Sequence, residues 1–430
     1  MGIMIGSGIF LMAGSIAREV DSIAAVMAVW TLGGVLSVAG ALSLSELGAA
    51  FPSAGGLYVY MVEAYGPVAG FVYGWSAVSL IHAGSIATMA AAVGFYTAPI
   101  LGLGYYQQKL LQAFVIVFFT TVNCFGLSMG KRVQNTLTLV KIVGISLLVV
   151  LLYARGSSAM LGANFLSTGS GGMHISSFGA ALVGVLWAYD GWHIVSFTAG
   201  EIRHPGRTLP RSLFLGTLLT TAIYLLLNIS YYAVLSPASI RATDRVAALA
   251  VQHVLGPQAA IFISILIVIS ILGALNGVVL AAPRVNFAMA RDGLFFRQFG
   301  SINRRTHAPV VATVAQGLWA ILFTLMGSFR ELFTSYVFIS WIFYGLCVAS
   351  LILLRKRQPD LHRPYRCPLY PWTPIFFVAA SLGIVVTTFV ANFRQATLGV
   401  GLMLLGIPLY ALFRYLERDR TQSPVQEETP

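Results

Sequence analysis

Charge is the scarcest commodity in this sequence. Only 9% of its 430 residues are Asp, Glu, Lys or Arg, against about 25% in a soluble domain. So few cannot cover a water-facing surface, which excludes soluble enzymes, nucleic-acid binders and disordered scaffolds together. Cysteine is nearly missing. Cys124, Cys347 and Cys367 are odd in number and lack metal-ligand spacing, so neither a disulfide framework nor a zinc site is expected. No HExxH motif occurs, and no Ser/His or paired-Asp arrangement lies on facing apolar runs. An intramembrane enzyme is therefore not expected, and neither is a cofactor or metal. No basic region precedes the first apolar run and no cleavage region follows it, so no signal peptide is read.

What the chain does have is apolar length. Apolar and aromatic residues make up 57% of it, and the mean hydropathy is +0.82. A membrane-spanning helix needs about 20 apolar residues, so twelve would use roughly 240 positions, close to this content. The expectation is an all-α polytopic membrane protein with about twelve transmembrane helices. Apolar runs fall near residues 1–17, 22–47, 67–100, 110–128, 134–154, 178–201, 211–235, 258–290, 309–327, 331–354, 372–392 and 396–416. Residues 1–416 form the membrane domain, and the polar tail 417–430 reads as disordered. Trp30, Tyr105, Tyr106 and Trp372 read as interfacial anchors, and Arg355-Lys356-Arg357 as a topology signal.

The net charge of +12 fits basic cytoplasmic loops better than nucleic-acid binding. With the N-terminus placed inside, seventeen Lys and Arg fall on the cytoplasmic side and seven opposite, while Lys141 and Arg284 fall within helices. The excess supports both termini inside and an even number of spans. The segment 52–67, assigned inside, contributes no basic residue.

Two apolar runs are interrupted. The first contains Gly6-Ser7-Gly8 and the sixth contains Ala188-Tyr189-Asp190-Gly191. Glycine weakens a helix interior, and unpaired backbone inside a bilayer is tolerated only where protein or a watery cavity satisfies it. Two breaks five helices apart fit an inverted-repeat transporter, in which half-helix ends meet near the midplane. A half-helix start offers free N–H groups to a carboxylate. A half-helix end offers carbonyls to an ammonium group. An amino acid carries both charges on one carbon. The alternative for each glycine is tight helix packing alone.

Four segments carry a resemblance. They are residues 2–10 (GIMIGSGIF); Ser45-Glu46-Leu47 with residues 51–58 (FPSAGGLY); residues 187–192 (WAYDGW) with Gly200-Glu201-Ile202 and residues 205–210 (PGRTLP); and Asn276-Gly277 with Arg284 and residues 290–293 (ARDG). In this order they resemble the amino acid–polyamine–organocation superfamily and, within it, the L-type amino acid transporter family in a bacterial form. The resemblance implies a LeuT-type 5+5 inverted repeat with helices 1 and 6 interrupted. Residues 1–154 and 175–355 would be the repeats, and 370–416 two added helices. It implies a substrate site of Met4, Ile5, Gly6, Ser7, Gly8, Ile9, Trp187, Ala188, Tyr189, Asp190 and Asn276. Ser7, Gly8 and the N–H of Ile9 would hold the carboxylate. The carbonyls of Met4, Trp187 and Asp190 would hold the ammonium group. Trp187 would also act as the outer gate, and Asn276 would line the pocket from helix 8.

Three departures are visible. Met1 falls within the first helix of the resemblance, whose inner half is expected upstream. Residues 99–109 lack the cysteine that animal members use to bond a heavy chain, so no disulfide-linked partner is expected. Asp190 stands where some members have a small residue.

Charged and polar groups within the spans are costly and need partners. The resemblance suggests that the Lys141 ammonium occupies the place of a Na⁺ between helices 1, 5 and 8, bonding carbonyls near Gly6 and arguing against Na⁺ coupling. Lys141 also offers a route to proton coupling. Asp190 either pairs with a cationic substrate side chain or bonds neighbouring backbone at the break, and the second is preferred. Glu46 and Glu201 would act as gate or loop anchors with partners among Arg203, Arg207 and Arg291. His82 and His193 read as satisfied helix–helix contacts rather than a proton relay. The expected function is Na⁺-independent transport of small or neutral L-amino acids across the plasma membrane, by exchange or proton coupling. The alternatives are a cationic amino-acid or polyamine transporter using Asp190, and a transport-inactive sensor or subunit.

Overall fold

A helix satisfies its own amides internally, which is why an apolar chain of this kind resolves into helices. The computed structural model describes residues 1–20, 22–166, 175–326 and 329–422, and among these there is no strand. Helices α1 (Gly8–Glu19) and α2 (Ile23–Ala50) are followed by a short α3 (Leu57–Tyr65). Next comes one long element: α4 (Pro67–Ser76), a π-helical turn over Ala77–Ile81, and α5 (His82–Leu101). Helices α6 (Tyr105–Cys124), α7 (Leu127–Arg155) and α8 (Ser158–Leu166) lead to α9 (Ile175–Ala188). Beyond it lie a 3₁₀ stretch (Ile194–Glu201), α10 (Pro205–Tyr232), α11 (Pro237–Arg241), α12 (Val246–Leu255), α13 (Pro257–Ala281) and α14 (Pro283–Arg291). The remainder comprises α15 (Val310–Met326), α16 (Phe329–Arg357), α17 (Trp372–Ala391), α18 (Phe393–Leu404) and α19 (Gly406–Gln422).

Among the described residues, eight helices are long and apolar enough to cross a membrane, and three shorter apolar ones accompany them. Leu110, Phe114, Leu147, Phe262 and Val390 lie exposed on the outside of the bundle. In water such a surface would aggregate; in lipid it is the ordinary solvent-facing surface. The chain is a multi-pass membrane protein.

Several boundaries differ from the hydropathy reading. The first helix begins at Gly8 rather than at residue 1, because residues 2–7 form turns. The fourth run is displaced, to Tyr105–Cys124 rather than 110–128. Helices α3, α8, α11 and α12 were not expected. Each is too short to register as a span, although Ser236 capping Ser239 N–H at 3.2 Å, with Pro237 next, is a readable start signal. Residues 417–422 continue α19 instead of beginning a disordered tail; Glu417, Arg418 and Arg420 are adequate helix formers. Residues 423–430 lie outside the described residues. Trp30 is no interfacial anchor. It is fully buried, edge-on to Tyr189 and Tyr224 with ring centroids 6.0 and 5.4 Å away. Tyr105, Tyr106 and Trp372 are exposed.

The core that positions the site is a set of crossing helices. α1 packs on α9, α2 on α10, and α13 on both α5 and α7. The two interrupted segments are thereby held side by side.

Candidate functional site at the paired helix breaks

The first break is built from small residues and held by groups outside it. A side chain at Gly8 would collide with the Cα and Cβ of Ala188, so glycine is what permits the two breaks to touch. Lys141 on α7 is completely buried. Its Nζ donates to the carbonyls of Gly2 at 2.9 Å, Ile5 at 2.7 Å and Ser270 at 2.7 Å. An ammonium group has three donors, so Lys141 is saturated. Ser270 Oγ adds a bond to the Ile5 carbonyl at 3.1 Å. The carbonyls freed by the break thus receive a resident cation.

The second break follows the end of α9. Gly191 has φ +99°, a left-handed value that favours glycine, and it turns the chain into the 3₁₀ stretch. Tyr224 of α10 ties both breaks together. Its hydroxyl lies 2.7 Å from the Met4 carbonyl and 2.8 Å from the Ala188 carbonyl, one proton shared between two acceptors. Tyr344 of α16 donates to Asp190 Oδ1 at 2.8 Å. His193 Nδ1 stands 3.8 Å from the same oxygen.

Both breaks face one cavity, lined by Ile3, Met4, Gly6, Ser7 and Gly8 from the first and by Trp187, Ala188, Asp190 and Gly191 from the second. It measures about 20 Å³, enough for a single water on this scale. A larger space of about 280 Å³ adjoins it, sharing Ile3, Met4 and Gly191 and reaching Gln134, Thr138 and Thr217. The α1 start presents free N–H groups to the small cavity, and the α9 end presents carbonyls. That pairing suits a small zwitterion.

The residues expected at the site divide. Met4, Gly6, Ser7, Gly8, Trp187, Ala188 and Asp190 line the cavity. Ile5, Ile9 and Tyr189 are buried behind it. Asn276 does not line it. Its Nδ2 donates to Gln134 Oε1 at 2.9 Å and its Oδ1 accepts from Asn123 at 2.9 Å. It faces α6 and α7, and Val278 lines the cavity from α13 instead. The Met4 carbonyl already accepts from Gly6 N–H at 2.9 Å as well as from Tyr224, so both lone pairs are engaged. Ser85 and Met89 of α5 and Tyr336 of α16 also line the space. Hydropathy gave no hint of these. For Tyr224 and Tyr344 the signal was a phenol inside an apolar run, which needs a hydrogen-bond partner when buried.

The two glutamates sit farther out, with other partners than expected. Glu46 bonds Arg355 at 2.8 and 2.6 Å, approaches Arg363 at 3.3 Å, and accepts the Cys367 N–H at 2.6 Å. Glu201 takes Arg284 of α14 at 2.9 and 3.1 Å. Arg203, Arg207 and Arg291 belong to neither pair. Helix packing brings other arginines to the two carboxylates: Arg355 of α16 and Arg363 beyond it to Glu46, and Arg284 of α14 to Glu201. Arg355 is accordingly more than a topology signal: it also stacks 3.8 Å over the Tyr370 ring. At the other end of α2, Arg18 bonds Asp244 at 2.5 Å and Arg245 donates to the Phe95 carbonyl at 2.8 Å, so the α11–α12 segment closes over that end.

Paired helix breaks facing a common cavity inside an apolar bundle define a membrane transporter rather than an enzyme. The family model for amino acid permeases matches residues 1–413, and the chain belongs to that family. It is 32% identical over 414 residues to the serine/threonine exchanger SteT of Bacillus subtilis, covering 95% of this chain and 93% of that protein. It is 29% identical over 423 residues to the b(0,+)-type amino acid transporter 1 of Mus musculus, covering 96% and 86%. With the cystine/glutamate transporter of Homo sapiens it shares 28% over 426 residues, covering 96% and 83%.

Proposed function

We propose that this permease exchanges small or neutral L-amino acids across the cytoplasmic membrane, without Na⁺, by alternating access about the paired breaks. The observation that carries the reading is the cavity between the α1 start and the α9 end, lined from both breaks. In this reading the N–H groups around Ser7, Gly8 and Ile9 hold the carboxylate. The carbonyls of Trp187 and Asp190 take the ammonium group, joined by Met4 when the Tyr224 bond opens. The Trp187 ring gates the outer side. The Lys141 ammonium supplies the charge a Na⁺ would bring, and one cation there repels a second. Residues 1–154 and 175–355 act as inverted repeats, 370–416 as additions, and both termini lie in the cytoplasm. Glu46 and Glu201 anchor the inner end. Without a cysteine in residues 99–109, no covalent heavy chain is needed. The exchanger SteT named above supports both the exchange mode and the substrate size.

A second reading rests on Asp190. Asp190 is among the residues that line the cavity, and among the described residues no lysine or arginine pairs with it. A cationic amino acid would fill that gap. Uptake of radiolabelled serine into proteoliposomes separates these readings. Uptake should require preloaded amino acid and persist when choline replaces Na⁺. Competition by arginine, lost in Asp190→Asn, would add the second reading. Failure to move any of the twenty amino acids would defeat both.

A further inference from the structure

A buried serine or threonine on a helix ordinarily returns its hydroxyl proton to a carbonyl one turn back. Ser37, Ser43, Ser45, Ser76, Ser79 and Thr217 all do so, at 2.6 to 2.8 Å. Ser85 of α5 does not. It is 6% exposed, and among the described residues its hydroxyl has no hydrogen-bond partner. Other buried groups lack partners too: both nitrogens of His82, Nδ1 of His193 and the Thr88 hydroxyl. His82 and His193 are therefore not the satisfied contacts expected from sequence. Those groups are sealed in protein, whereas Ser85 lines the cavity between the two breaks. An unpartnered buried polar group needs an explanation, and for Ser85 the cavity supplies one.

The backbone before Ser85 sets its direction. α4 and α5 are joined through the π-helical turn Ala77–Ile81. Such a turn inserts one extra residue, and one residue turns a helix by about 100°. Everything after the turn, Ser85 included, is rotated by that amount relative to α4. The turn is fixed from α15: Trp319 Nε1 donates to the Ser79 carbonyl at 2.9 Å and Gln316 Nε2 to the Val78 carbonyl at 3.4 Å. Met89 lies one turn beyond Ser85 on the same face and also lines the cavity. Two serines line this space, Ser7 and Ser85. Ser7 belongs to the break that holds the substrate head, whereas Ser85 stands on a helix with no part in that. The remaining lining outside the breaks is apolar, from Met89, Ile194 and Val278, apart from Tyr336, which is bonded to Trp187. With the head held at the breaks, the substrate side chain meets an apolar wall and one uncommitted hydroxyl.

We propose that Ser85 is a specificity-determining residue that reads a hydroxyl on the substrate side chain, so that the permease selects serine over alanine and threonine over valine. A hydroxyl is both donor and acceptor, so the Ser85 and substrate hydroxyls pair in either sense without a charged group. Serine differs from alanine by that one oxygen, and threonine and valine have nearly the same shape, so an apolar pocket alone separates neither pair well. Closing over alanine or valine seals the Ser85 hydroxyl with nothing to bond. A site left with an unpaired polar group discriminates against the ligand that leaves it so. Met89, Ile194 and Val278 accept the threonine methyl. The inference rests on the exchange reading and narrows its small or neutral substrates to those with a hydroxyl-bearing side chain.

The test is competition in proteoliposomes of the full chain, following exchange of radiolabelled alanine so that the signal itself does not depend on a substrate hydroxyl. Unlabelled serine, alanine, threonine and valine compete. In the wild type the inhibition constant should be about three- to tenfold lower for serine than for alanine, and for threonine than for valine, the span of one neutral hydrogen bond. In Ser85→Ala both ratios should fall to within about twofold, because serine and threonine weaken while alanine and valine hold. Ser85→Cys keeps the shape with a weaker donor and should act in the same direction. A wild type that exchanges labelled serine but not labelled alanine would show the same preference in full, and the variants would then gain alanine exchange. Equal weakening of all four competitors would mean a structural role and overturn the proposal. So would ratios unchanged in both variants, or a wild type that distinguishes neither pair. Exchange of neither labelled serine nor labelled alanine by the wild type would instead defeat the transport reading. Monodisperse elution in detergent identifies any variant that failed to fold, and two replacements at Ser85 keep the test decisive.

Discussion

The two helix breaks solve one problem by opposite means. The first has almost no polar side chains of its own. Its carbonyls are served from outside by Lys141, Ser270 and Tyr224. The second carries its own chemistry, Asp190 and His193, joined to Tyr344. A break held through its backbone is indifferent to the identity of its own side chains, provided they are small. A break held through titratable side chains is adjustable. The fixed break suits the invariant head of an amino acid. The adjustable one suits the part of the substrate that varies.

The sharpest way to break the contrast is Lys141→Met. It leaves the Gly2, Ile5 and Ser270 carbonyls without the ammonium group, at about 1–3 kcal/mol each where no water enters. Exchange should fall by more than about 100-fold, a loss of that order, and the melting temperature in detergent should drop. Lys141→Arg should not rescue, because a planar fork does not match converging carbonyls; rescue would show that charge alone matters. Next comes Gly8→Ala, which pushes α1 off α9. Misplacing binding groups by about 1 Å costs on the order of 100-fold in rate, so exchange should fall while thermal stability changes less. Wild-type exchange would mean that the breaks need not touch. Tyr224→Phe removes one shared proton and should lower stability by about 1–2 kcal/mol, read as a shift in melting temperature, with weakened but measurable transport. The smallest effect is expected far from both breaks. Arg18→Ala, removing the half-exposed pair with Asp244, should change stability by about 0.2–1 kcal/mol, a difference that disappears in high salt.

Legibility followed the same contrast. The positions of both breaks could be read because glycine in an apolar run is conspicuous, and the seven cavity-lining residues among those expected come from these breaks. Lys141 drew notice because a cation in such a run is rare, and its geometry matches the carbonyl clamp suggested for it. What could not be read was who faces whom. Asn276 was placed in the cavity because α13 borders it, but one helical residue turns about 100° from the next, and that rotation carries it to Gln134 and Asn123. For Glu46 and Glu201 the expected partners are Arg203, Arg207 and Arg291, whereas helix packing supplies Arg355 and Arg363 to the first and Arg284 to the second. Trp30 was read as interfacial because tryptophan favours that depth, yet α2 buries it against Tyr189 and Tyr224.

Glu46 and its partners also impose an order on synthesis. The carboxylate sits at the end of α2, while Arg355 and the Cys367 amide come 309 and 321 residues later. The acid thus emerges from the ribosome long before anything that can neutralise it. It must wait at the membrane surface until α16 has been inserted and the following loop has folded back. Chains that stall before that point hold the Glu46 carboxylate without the Arg355 and Cys367 partners that the finished fold supplies.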